Sequence, residues 1–261
     1  MPIIETHCHL DYLEKEPLVD ILQKSKDAGI ERIITISVDP ENLDKAFALS
    51  KAHPEIYFTQ GIHPHDAKEA RPDDMKKIIA RCIEPKMVAV GEIGLDYHYN
   101  HSPRDIQLNV FEEQLEIAIN NNKPVVIHSR EADEDMISIL KSFGHKMPKN
   151  GVIHSFTSTK KLAETALDQG FYLGFNGIIT FKKAQEVRDI VEYAPIERLL
   201  IETDAPFLTP APHRGKENAP YYLQHILEKL SEIKGIDVMK TEQILYKNSF
   251  DLFFRDEVLD S

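Results

Sequence analysis

The chain has 261 residues, enough for one large barrel or two ordinary domains and too many for a disulfide-stapled miniprotein. Its 42% hydrophobic and 28% charged residues exclude a disordered, fibrous or membrane class. With 31 Lys plus Arg against 43 Asp plus Glu, the net charge of -12 excludes a global positive field, so local groups or metal ions must attract any polyanionic substrate.

In chain order, short β-branched runs alternate with segments of helical period, and the cycle repeats eight times. The first run, Ile3 to Thr6, leads into His7-Cys8-His9. The segment Pro17 to Ala28 starts at a proline and stops at Gly29, the usual start and stop chemistry of a helix. Runs follow at Arg32 to Val38 and at Ile56 to Ile62, the latter leading into His63-Pro64-His65. The fourth, Met87 to Ile93, carries Glu92 between glycines. Asp105 to Asn121 then sets Leu108, Phe111, Leu115 and Ile119 at spacings of three and four, one apolar stripe facing a core. Val125 to His128 and Val152 to His154 both end in His-Ser. Phe171 to Phe175 and Leu199 to Thr203 complete the strands, the last running into Asp204. Tyr221 to Lys234 and Thr241 to Phe254 supply the eighth helix and a closing one.

No Gly/Ser or Pro-rich linker divides the chain, so the expected fold is α/β, a (β/α)8 TIM barrel forming a single domain over residues 1–261. A doubly wound open sheet usually has fewer strands and needs a switch point. The two cysteines, Cys8 and Cys82, cannot make a disulfide framework and suit a reducing compartment. No secretory leader opens the chain and no apolar run approaches the ~18 residues of a membrane span, so a cytoplasmic protein without membrane contact is expected.

Barrels of this kind work at the carboxyl ends of their strands. His7 and His9 follow the first strand, His63 the third and Asp204 the eighth; Glu92 lies near the end of the fourth, and His128 and His154 end the fifth and sixth. In extended chain, residues two apart share a face, so His7 and His9 can bind one ion while Cys8 points away. An isolated His-x-His is as easily a pair of surface histidines, and it is the strand-end position that favours metal. Glu92 reads as a bridging carboxylate, and the repeated strand-His-Ser pattern of His128 and His154 suits a second ion. Asp204 follows apolar positions, where a buried carboxylate must be paired, coordinated or used as a general base. His63 is assigned to phosphate or leaving-group contact and His65 to structure. Arg130, Lys182 and Arg214 stand just past strand ends, where a basic side chain can clamp a phosphate or simply be solvated. Cys8 lacks a dedicated base for nucleophilic work. His53, His98, His101, His145, His213 and His225 lack such placement and read as ordinary.

The motifs ETHCHL, GIHPH, VAVGEIGLDY, PVVIHSR, VIHSF and LLIETDAPFLTP, followed by HRGKENAP, make the chain resemble the TatD family of metal-dependent deoxyribonucleases nearly end to end. That family belongs to the amidohydrolase-like metal-dependent hydrolases. The resemblance implies a TIM barrel whose two divalent ions cleave phosphodiester bonds of DNA through a metal-activated water. Carried across, His7, His9, Glu92 and Asp204 hold one ion and Glu92, His128 and His154 the other; the reading of the residues themselves makes Asp204 and Glu92 catalytic and sets His63 and Arg130 on the substrate. Glu5 stands where the family usually has Asp, and Ser158 where it often has Gly.

The leading expectation is a deoxyribonuclease working from single-stranded ends, because a duplex-tracking enzyme would need a continuous basic stripe. The alternative is an amidohydrolase cleaving C-N or C-O bonds of a small molecule at the same site, and a third is a silent barrel that only binds. Magnesium, manganese, zinc, nickel and cobalt all suit such donors. No obligate protein partner is evident.

Overall fold

A computed structural model describes residues 2–255; Met1 and residues 256–261 of the expected domain lie outside the described residues. The elements are β1 (Ile3–Cys8), α1 (Leu18–Asp27), β2 (Ile30–Thr35), α2 (Leu43–Ala52), β3 (Ile56–Gln60) and α3 (Pro72–Arg81). They continue as β4 (Met87–Asp96), α4 (Arg104–Asn120), β5 (Val125–Arg130), α5 (Asp133–Phe143), β6 (Gly151–Ile153) and α6 (Lys160–Asp168). The last are β7 (Tyr172–Phe175), α7 (Gln185–Tyr193), β8 (Leu199–Ile201), α8 (Leu223–Lys234) and α9 (Val238–Phe253).

The sheet order follows the chain order and every pair from β1–β2 to β7–β8 is parallel, as the repeated strand-helix cycle demands. Just past the short β8, Asp204 N–H donates to the His7 carbonyl (2.9 Å) and His9 N–H to the Ala205 carbonyl (2.7 Å). These bonds draw the last strand end against the first, and the arrangement is a (β/α)8 barrel. An apolar cluster takes Ile4, Ile34, Val126, Val152 and Leu200 from separate strands and joins them to Phe250 and Phe253 of α9 and to Phe254 just after it. This layer runs around the barrel, and the C-terminal aromatics close it.

Boundaries differ from expectation where the two chain neighbours of a residue do not decide its state. β4 runs three residues past the predicted end at Ile93, because Gly94, Leu95 and Asp96 pair across to His128, Ser129 and Arg130 of β5. Gly94 is obligatory there: a Cβ would lie 2.0 Å from the His128 carbonyl oxygen, and φ is +144°. β1 likewise continues through His7 and Cys8, whereas β8 stops at Ile201, two residues before the predicted end.

Candidate metal centre

The predicted site residues come together from six strands. His9, His63, Glu92, His128, His154 and Asp204 line a cavity of about 810 Å³ at the C-terminal mouth, with Arg130 on its wall and buried His7 packed against Glu92 and His154. Glu92 is the hub. Its carboxylate oxygens lie 2.7 Å from His154 Nε2, 3.0 Å from His128 Nδ1, and 3.4 Å from both His7 Nε2 and His63 Nε2. Asp204 Oδ1 lies 3.4 Å from His9 Nε2 and 3.7 Å from His7 Nε2. The His7 and His154 rings stack with centroids 3.9 Å apart. Lys182 and Arg214 stand outside the lining of this cavity, and Arg214 packs over the Phe181 ring at 3.6 Å.

Three residues that sequence reasoning did not assign to the site complete it. Asp96 Oδ2 lies 3.0 Å from both His128 Nε2 and His65 Nε2, so His128 has one nitrogen turned to Asp96 and the other to Glu92. Glu202 Oε1 accepts from the Ser155 N–H (2.6 Å) and lies 3.4 Å from His154 Nδ1, opposite the nitrogen that faces Glu92. His65, read as structural, donates its backbone N–H to His63 Nδ1 (3.1 Å). That bond makes Nδ1 the acceptor and puts the proton of a neutral His63 on Nε2, facing the cavity. Cys8 is buried and turned away, with Sγ directed at the Ile34 carbonyl. His101, read as ordinary, lies on the cavity rim against Tyr99.

The donor set fits divalent cations. His7 Nδ1 and Nε2 and His9 Nδ1 are buried without a hydrogen-bond partner, a costly state for imidazole unless its basic lone pair is taken up. Ligand atoms of His7, His9 and Asp204, of His63, Glu92 and His128, and of His7, His154 and Glu202 each fall within 4.8 Å of one another. Burial alone would raise the Glu92 carboxyl, but the His154 and His63 charges and hydrogen bonds from His128 and His154 hold it well below the usual range. Burial likewise works against ionised Asp204, and its bond to His9 with the charges of His7 and His154 prevails, keeping it low. Burial and the neighbouring His128 push His63 down to about 4, so it is neutral near pH 7.

Glu5 is fully buried beside these ligands. Its carboxyl accepts from the N–H groups of His7 (3.0 Å) and Thr203 (3.0 Å), yet burial prevails and pushes it up to about 8. A raised acid favours folding while protonated, so its contribution is complete below the unfolded value of 4.5 and is lost as pH rises through about 8. Unfolding free energy of the wild type is expected to fall over that window by on the order of a few kcal/mol more than that of Glu5→Gln, which mimics the protonated acid. Denaturant titrations of both proteins across the window check this, and parallel profiles would refute it.

Comparison with known proteins follows the same lines. Residues 4–254 match the family model described as TatD related DNase. An uncharacterized metal-dependent hydrolase of Bacillus subtilis, YabD, is 37% identical over 96% of this chain and 98% of its own. The protein of Escherichia fergusonii named 3'-5' ssDNA/RNA exonuclease TatD is 34% identical over 84% of this chain and 85% of its own. The crystal structure of YjjV, a TatD homologue of Escherichia coli K12, superposes with a TM-score of 0.90 at 30% identity, covering 96% of this chain and 97% of that one.

Proposed function

Because the chain belongs to the family of TatD-related DNases, we propose that this metal-dependent hydrolase cleaves phosphodiester bonds of DNA, exonucleolytically and from single-stranded ends. The observation that carries the reading is the convergence of buried, unpartnered imidazole nitrogens on the carboxylates of Glu92 and Asp204. On this reading His7, His9, Glu92 and Asp204 hold one divalent cation and Glu92, His128 and His154 a second. Such cations supply Lewis-acid stabilisation of a phosphorane-like transition state and acidify water. Asp204 accepts the proton of the attacking water. His63 donates from Nε2 to a phosphoryl or leaving oxygen, since a neutral ring in that tautomer is a hydrogen-bond donor there and not a ligand. Arg130 faces the phosphate. Asp96 accepts an N–H bond from His128 and Glu202 faces Nδ1 of His154, leaving the opposite nitrogens for coordination, as partners of ligating histidines generally do.

The name of the Escherichia fergusonii relative supports single strands as substrate, and the net charge of -12 argues against tracking along a duplex. The two buried free cysteines suit the cytoplasm, and among the described residues no helix is long and apolar enough to cross a membrane. One catalytic domain without an obligate protein partner is sufficient for this activity.

The test is digestion of end-labelled single- and double-stranded oligonucleotides after chelation and refilling with each of magnesium, manganese, zinc, nickel and cobalt. Chelation is expected to abolish cleavage and to lower the thermal midpoint, since a ligand at 100 times its Kd stabilises the native state by about 2.7 kcal/mol. Refilling should restore a ladder that shortens from one end. Full activity in a demonstrably metal-free protein would overturn the reading, and so would hydrolysis of small amides with oligonucleotides left intact.

A further inference from the structure

Two aromatic residues on the wall of the metal cavity, Phe207 and Tyr99, are each 51% exposed. The backbone around Phe207 is held firmly. Its N–H donates to the Asp204 carbonyl (2.9 Å), and its carbonyl accepts from Nδ2 of buried Asn218 (2.5 Å), which also bonds the Thr203 carbonyl (2.8 Å). The next residue, Leu208, has φ 56°, and its carbonyl oxygen lies 1.9 Å from where a Cβ on Gly177 would stand, so the turn is wedged against a position only glycine can fill. The Phe207 ring projects from this fixed turn, edge-on to His9 with centroids 6.1 Å apart.

Tyr99 is fixed to the other half of the centre. Its N–H donates to Asp96 Oδ1 (2.9 Å), while Asp96 Oδ2 bonds His128. One carboxylate therefore positions both a proposed ligand and Tyr99. The Tyr99 ring lies parallel to His101 and carries the Arg130 guanidinium 4.7 Å from its centroid.

Both residues are half exposed: Phe207 stands beside the His7, His9 and Asp204 set, and Tyr99, with Arg130 already over its ring, stands beside the His63, Glu92 and His128 set. In a chain of net charge -12 the overall field does not favour a polynucleotide, which gives weight to contacts that need no charge. Stacking of bases on aromatic rings needs no charge and tolerates any sequence. We infer that Phe207 and Tyr99 are stacking platforms for the nucleobases flanking the scissile phosphate of a single-stranded polynucleotide. The inference rests on the phosphodiesterase reading above and names the part of the polymer that the site grips.

The test is a cycle of variants and substrates on the full-length, metal-loaded protein. Phe207→Ala, Tyr99→Ala and Phe207→Trp are compared with wild type on a single-stranded oligonucleotide and on the same oligonucleotide with abasic residues flanking the scissile bond. Each alanine variant is expected to lower kcat/KM on the normal oligonucleotide by roughly 5- to 150-fold, chiefly through KM, and Phe207→Trp to retain it. Removing the base and removing the ring should not add, because each deletes the same contact. A 2-aminopurine at the flanking position of a hydrolysis-resistant phosphorothioate analogue should be quenched on binding the wild type and less quenched by the alanine variants. Unchanged kcat/KM, or additive losses accompanied by lost metal, would overturn the platforms while leaving the phosphodiesterase reading intact. A wild type that cleaves neither oligonucleotide would overturn that reading and this inference with it.

Discussion

Replacing Glu92 with alanine is expected to remove metal from both halves of the centre together and to lower hydrolysis by about 10³-fold or more, because several kcal/mol of Lewis-acid stabilisation are forfeited. Among the described residues, Glu92 alone stands within 3.4 Å of four imidazoles that arrive from four different strand ends. Its removal leaves the stacked His7 and His154 rings without the carboxylate between their Nε2 atoms, so the cluster loses both a ligand and its central negative charge. His128→Ala removes a proposed ligand from one half only and should lose chiefly one ion. Glu92→Gln keeps the buried shape and guards against a simple folding defect. Metal content per chain, measured by elemental analysis on all three variants, gives the result. Equal stoichiometric loss in Glu92→Ala and His128→Ala would contradict a bridging Glu92.

Particular residues explain how much of this centre is legible in the chain. The eight-fold alternation is carried by local β-branched runs and amphipathic segments, which is why the barrel is readable without its contacts. His7 and His9 follow from the two-residue period of a strand. The same period, extended along β4, sets Asp96 on the face of Glu92, whereas Glu202 and Asp204 lie past the end of β8, where alternation no longer applies. Asp96 escapes notice because Gly94 suggests a turn, and only the pairing of β4 with β5 keeps the segment extended. Glu202 lies in an apolar run, and its partners Ser155 and His154 are remote in sequence. The His63 tautomer is set by a backbone N–H and leaves no trace in composition. Residue types at strand ends therefore point to the proposed ligands, whereas the groups that would orient them emerge only once strands are placed side by side.

Asp204→Asn is expected to lower turnover by about 10²- to 10⁴-fold at saturating metal, the range typical of a lost general base. The substitution isolates charge and basicity unusually well. Asp204 has φ 58°, a left-handed conformation that asparagine adopts as readily as aspartate, and its N–H bond to the His7 carbonyl does not depend on the side chain. Asparagine also keeps one side-chain oxygen toward His9 and His7, so metal content should fall only modestly. In the wild type the low carboxyl keeps Asp204 ionised through the neutral range, and activity dependent on that ionised form declines only as acid reaches its lowered titration range. The acidic limb of the rate profile should therefore flatten or shift in Asp204→Asn if the carboxylate sets it, with KM for the oligonucleotide largely kept. A residue that is a ligand and nothing more predicts a different outcome: weaker metal binding, an unchanged limb and recovery at high metal concentration. Rate against pH at saturating metal separates the two, and near wild-type turnover restored to Asp204→Asn by added metal alone would show that this carboxylate holds the ion without taking the proton.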